Sequence, residues 1–119
     1  MTTKYLADIN FWLALAFEFH QSHATANACF ETQDDNAIVF CRMTQLGFLR
    51  LASDRRVFLE EALTLVDAWN AYDQMAADPR VGPFNDAYLA AFAQAADLEI
   101  LTFDQGFSQY RGLNSTILS

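Results

Sequence analysis

An aspartate stands at each of three places where an apolar run ends or a helical pattern begins, and this restricts the folds open to the chain. Asp8 closes Tyr5-Leu6-Ala7 and precedes Asn10 and a helical pattern. Asp86 opens Ala87-Tyr88-Leu89-Ala90-Ala91-Phe92, and Asp104 follows Ile100-Leu101-Thr102-Phe103 and precedes Gly106. Strands alternating with helices specify a parallel sheet covered on both faces. In an open sheet of that kind, ligands bind beyond the carboxyl ends of the strands. Carboxylates gathered there pack poorly but are good ligands for a hard cation such as Mg²⁺. Metal-dependent phosphodiester chemistry is therefore the first function class to test.

Taken singly, each aspartate reads more simply as a helix cap that satisfies exposed amides and the helix dipole. Three at corresponding positions of a βα pattern shift that balance, because helix starts and strand ends converge on one crevice. The remaining elements fit the pattern. Lys4 to Asp8 reads as a short buried strand, with Asn10 as the cap of a helix from Phe11 to about Phe19. Ser22 or His23 starts a second helix with Ala24, Ala28 and Phe30 facing inward. Gln33-Asp34-Asp35-Asn36 is a polar turn, and Ala37 to Phe40 a strand. A helix runs from Thr44 to Ala52, with Leu46, Phe48, Leu49 and Leu51 available for packing. Phe58, Ala62, Leu65, Trp69, Tyr72 and Ala76 predict one long helix that ends before Pro79. Val81-Gly82-Pro83 reads as a loop, and Asn85 as the cap of a helix to about Ala96. Glu99 to Thr102 is a strand, and Thr116 to Leu118 a final edge strand. The whole is expected to be one domain, residues 1–119.

Composition narrows the partners. The net charge of −8, from 15 acids against 7 bases, argues against a broad nucleic-acid-binding surface, which needs an excess of cations. It leaves room for a nuclease whose metal neutralises the acids locally. Four of the seven bases, Arg42, Arg50, Arg55 and Arg56, fall in one stretch, where they either meet phosphates or sit in surface ion pairs. The apolar run Phe11–Phe17 falls short of the ~20 residues that span a bilayer, so a cytoplasmic protein without a membrane segment is expected. Cys29 and Cys41 have no metal-type spacing and read as free thiols. His20 and His23 read as surface histidines before a metal pair.

Four segments carry a resemblance. Leu6-Ala7-Asp8-Ile9-Asn10, Thr44 to Arg50, Asn85 to Ala91 and Leu101 to Phe107 resemble, in order, the motifs of the PIN-domain ribonucleases, and most nearly the VapC-type toxins of toxin–antitoxin pairs. The resemblance implies a PIN-like three-layer α/β/α domain with a short, mostly parallel sheet of about four strands. It implies an Mg²⁺- or Mn²⁺-dependent endoribonuclease blocked by a cognate antitoxin. Asp8, Asp86 and Asp104 would be catalytic, Asp8 and Asp104 the main metal ligands, and Asn10, Gln45 and Asn85 their second layer. Arg42 and Arg50 are the candidate RNA contacts.

Two departures bear on activity. Gln45 stands where many members carry Glu, which removes a charge. Only Gly82, Pro83 and Phe84 lie between Val81 and Asn85, where relatives place a further strand and helix of roughly two to three dozen residues. Both departures support an alternative: a catalytically weakened PIN-like module that binds an antitoxin or a second copy of itself. A receiver-type phosphoryl-transfer domain is a weaker rival, since the only lysine, Lys4, precedes the first strand. The short connection and the several apolar stripes of the Phe58–Ala76 segment predict a homodimer or an exchange of elements between two chains.

Overall fold

The computed structural model of the protein describes residues 5–82, 99–102 and 114–118. Asn85, Asp86 and Asp104, and the helix expected from Asn85, lie outside the described residues. Within them the chain runs β1 (Tyr5–Ala7), α1 (Ile9–Ala16), α2 (His23–Glu31), β2 (Ile38–Val39), α3 (Arg42–Ala52), α4 (Arg55–Phe58), a 3-10 turn (Leu59–Glu61), α5 (Leu65–Ala76), β3 (Glu99–Thr102) and β4 (Asn114–Ile117). The strands join in the order β2-β1-β3-β4, every neighbouring pair parallel. The expected mixed α/β architecture with a parallel sheet is present. No described helix is long and apolar enough to cross a membrane.

Strand order locates the crevice. From β1 the chain crosses to β2 on one side, whereas β3 lies on the other side of β1. Such a reversal opens a gap between two neighbouring strands at their carboxyl ends, where open parallel sheets bind ligands. Ala7 of β1 pairs with Leu101 of β3, so Asp8 emerges into this gap one residue later.

Aromatic packing fixes the turn that carries Asp8. Trp12 and Phe11, the largest fully buried side chains, lie on α1. The Trp12 ring stacks on Phe40 at 3.8 Å between centroids, and Phe40 meets the edge of Tyr72 at 4.9 Å. The Trp12 indole donates a buried hydrogen bond of 3.2 Å to the Ala7 carbonyl, tying α1 to the last residue of β1. Burying one such ring contributes about 2–3 kcal/mol. Helix α3 lies against the start of α1 because position 47 is glycine: a Cβ there would collide with the Ile9 side chain. Any larger residue there would force the Ile9 side chain to move.

Several sequence expectations are corrected. The α1 cap is Asp8, whose carboxylate accepts from the Ile9 amide, and Asn10 lies within the helix, which ends at Ala16. On α2 the inward positions are Ala26 and Phe30, four apart, while Ala24 and Ala28 are exposed. Leu46 on α3 is exposed, in contrast to buried Phe48 and Leu49. Val81 does not merely loop: it bridges Ile38 in parallel, and the Gly82 amide donates to the Ile38 carbonyl at 2.7 Å.

The largest correction is the helix expected from Phe58 to Ala76. Helix α4 ends when Leu59 enters the left-handed region at φ 53°, Ala62 is extended, and α5 starts afresh at Thr64. The Thr64 hydroxyl accepts from the Asp67 amide at 3.1 Å, and the Leu63 amide donates to the Ala52 carbonyl at 2.9 Å. Capping and that link to α3 outweigh the apolar periodicity, and Leu59, Leu65 and Val66 are left exposed. Trp69, on the apolar stripe of that expected helix, is 41% exposed.

Candidate functional site

Asp8 is the one expected ligand carboxylate that the described residues include. It is half-buried at the carboxyl end of β1, and one oxygen accepts from the Ile9 amide at 2.7 Å. An ionised carboxylate offers about four lone-pair sites, and the Ile9 amide orients the group through one of its oxygens. Asn10 follows two residues later, half-buried in the first turn of α1.

The donor chemistry suits a hard cation. Carboxylate and amide oxygens match Mg²⁺ or Mn²⁺, whereas soft metals prefer sulfur. The thiol nearest the crevice in the chain, Cys41, is buried and engaged with the Thr44 hydroxyl in the α3 cap. Among the described residues no three His, Cys, Asp or Glu side chains gather to hold a metal. A full ligand set requires Asp86 and Asp104, which lie outside the described residues.

Gln45 and Arg42 occupy the first turn of α3, which starts beyond the carboxyl end of β2. Gln45 is only 7% exposed. Its carbonyl oxygen accepts from the Arg42 guanidinium at 3.2 Å. Burial pushes the Tyr72 phenol on α5 above its ordinary value, and the neighbouring Gln45 side chain draws it part of the way back. Sequence reasoning missed Tyr72 as a neighbour of Gln45, since a tyrosine on an apolar stripe carries no sign of which residue on another helix it lies beside.

The other arginines are dispersed. Arg50 is exposed in the last turn of α3, eight residues after Arg42, which is ~12 Å along the helix. Arg56 is paired with Asp54 at 3.1 Å, and its hydrogen bonds hold that carboxyl below its ordinary value. His20 and His23 belong to the turn from α1 to α2. The His23 ring bonds the Ala14 carbonyl at 2.8 Å, and the His20 ring accepts from the Ser22 amide at 3.0 Å. Burial, then the charge of His23, lowers the His20 pKa.

Comparison with known proteins gives a consistent result. The chain is 33% identical to Ribonuclease VapC41 of Mycobacterium tuberculosis, in strains CDC 1551 and H37Rv, with 96% of this chain and 98% of the relative covered. That alignment extends over 143 positions against a chain of 119 residues, so the relative has residues at no fewer than 24 positions where this chain has none. The shortfall agrees in size with the strand and helix expected to be absent after Val81. A chain of the crystal structure of VapBC2 from Rickettsia felis bound to a DNA fragment from their promoter shares the fold. Its TM-score is 0.67 at 10% identity, and 98% of this chain and 100% of that one are covered. No protein-family model matches the sequence.

Proposed function

The chain belongs to the VapC-type PIN-domain ribonucleases, and on that premise we propose that it is the endoribonuclease toxin of a type II toxin–antitoxin pair, acting in the cytoplasm with Mg²⁺ or Mn²⁺. The observation that carries this reading is the position of Asp8 at the reversal in strand order, oriented by the Ile9 amide. Asp104 follows β3, the strand paired with β1, and we assign Asp8 and Asp104 as the metal ligands. Asp86 completes the catalytic set, with Asn10 and Asn85 beside it. The whole chain is read as one PIN-like α/β/α domain.

In this assignment the bound cation would polarise the scissile phosphate and lower the pKa of a water. The protein's own part is to hold the carboxylates still. The Ile9 amide fixes one Asp8 oxygen, and the Trp12 bond to Ala7 pins the strand-to-helix turn beneath it. Such preorganisation removes the cost of gathering charged groups during the reaction.

The partners follow from the same reading: an RNA strand, a cognate antitoxin and a second copy of the chain. Exposed Leu65, Val66 and Trp69 on α5 supply the apolar surface for the homodimer. The test is cleavage of a single-stranded RNA by purified protein. Activity should be lost in EDTA and return with millimolar-range Mn²⁺ or Mg²⁺, a concentration set to order of magnitude by the few anionic ligands. Cleavage unaffected by chelation would end the metal assignment. A protein that leaves RNA intact under all these conditions would be the weakened binding module, a reading favoured by the engagement of Gln45 with Arg42.

A further inference from the structure

We propose that Gly47 is a positioning residue for Asp8: the room left by its missing side chain holds Ile9 where the Ile9 amide orients the Asp8 carboxylate. The proposal rests on the nuclease reading for the reaction and on separate geometry for the contact.

The place of Gly47 in the chain is the first sign. It is the sixth residue of α3, a helix of 11 residues, and at an interior helical position glycine is among the poorest residues and alanine the best. Its backbone is not in the left-handed region, so the conformational freedom of glycine is not in use. What Gly47 supplies is space. A Cβ at position 47 would overlap Ile9 Cδ1 and lie 2.9 Å from Ile9 Cγ1.

The contact has few ways to relax. Turning the outer bond of Ile9 moves Cδ1 but leaves Cγ1 in place. Moving Cγ1 takes the inner torsion, which a β-branched residue in a helix holds strongly in one rotamer. Nor can either helix draw back at little cost. Phe11 and Trp12 on α1 and Phe48 on α3 are fully buried in one apolar core, and so dense an interior resists opening.

The strain therefore falls on Ile9 itself, which is half-buried and opens α1. The amide of a first helical residue has no partner within its own helix. Here it donates to the Asp8 carboxylate at 2.7 Å. A shift of Ile9 away from α3 moves the donor that sets this oxygen. A side chain at position 47 thus acts on the carboxylate through Ile9.

The experiment takes two readouts from the full chain. The first is hydrogen exchange at the amide of residue 9, by NMR without metal. The second is cleavage of a single-stranded RNA in Mn²⁺. Gly47→Ala should speed that exchange about tenfold, the loss of one hydrogen bond to a charged group. It should lower kcat on the order of 10²-fold with KM little changed, the effect of misplacing a reacting group by ~1 Å. Gly47→Ala/Ile9→Ala, which removes both atoms in collision, should restore exchange and cleavage together. A residue that only supported the fold would lower the unfolding midpoint and leave exchange at residue 9 and kcat of the folded protein unmoved. Should Gly47→Ala fail to fold, Gly47→Ala/Ile9→Val keeps the Cγ1 contact alone and should show both changes in weaker form. Wild-type exchange and kcat in whichever of these variants folds would overturn the proposal. So would a loss of cleavage that Ile9→Ala does not restore, since Gly47 would then act by another route. The exchange change and its rescue, in a protein whose wild type does not cut RNA, would count against the nuclease reading alone.

Discussion

Asp8 carries two duties that one substitution can separate. As the α1 cap its carboxylate accepts from the Ile9 amide, and as a proposed metal ligand it supplies a negative charge at the crevice. Asparagine caps a helix about as well as aspartate, whereas alanine forfeits ~1 kcal/mol. Asp8→Asn should therefore unfold in urea within about 0.5 kcal/mol of the wild type, and Asp8→Ala roughly 1 kcal/mol below it. Equal losses in both variants would mean that the charge, not the hydrogen bond, stabilises the helix. The sequence made Asp8 a candidate site residue because it shares its place in a βα pattern with two further aspartates. It did not reveal that Asp8 rather than Asn10 is the cap. Both residues cap well, and the helix starts two residues earlier than expected, with the Asp8 carboxylate accepting from the Ile9 amide.

The elements show where local patterning suffices and where it fails. Strands β1 and β3 were legible because short apolar runs ended in turn residues. The Glu99–Thr102 boundaries agree with the sequence expectation residue for residue. The segment from Phe58 to Ala76 was not legible as two helices, since apolar residues recur at helical spacing straight through the break. What breaks it is backbone chemistry: Leu59 at φ 53° and the Thr64 cap. A left-handed conformation costs a residue with a side chain roughly 1–2 kcal/mol, and glycine almost nothing. Leu59 is 69% exposed, so little packing is forfeited on its replacement. Leu59→Gly should stabilise the fold by roughly 1 kcal/mol and raise Tm by a few degrees. An unchanged or lowered Tm would mean that the leucine side chain supports the 3-10 turn by more than its conformation costs.

At the scale of the molecule, the sequence announced a parallel α/β fold, but the order of its strands came only from the structure. That order, β2-β1-β3-β4, places Asp8 at the reversal, where open parallel sheets bind ligands. Pairing between strands far apart in the chain leaves no local trace in composition or periodicity. The same holds for the surface of α5: Tyr72 packs inside its own chain, while Leu65, Val66 and Trp69 do not. We expect light scattering to show a dimer at tens of micromolar, a concentration typical of modest interfaces, and Trp69→Lys to shift it to monomer. A wild-type monomer across that range would remove the homodimer from the account.

The central claim is that a carboxylate at the strand-order reversal drives RNA cleavage, and the most direct measurement compares wild type and Asp8→Asn on one single-stranded RNA in Mn²⁺. The two proteins should have the same unfolding midpoint, so a difference in rate isolates the ligand charge. We predict cleavage by the wild type and a loss of at least 10²-fold in Asp8→Asn, the order expected for removing a group that stabilises charge in the transition state. Equal cleavage by the two proteins would contradict the account and would place the activity at another site or in another protein.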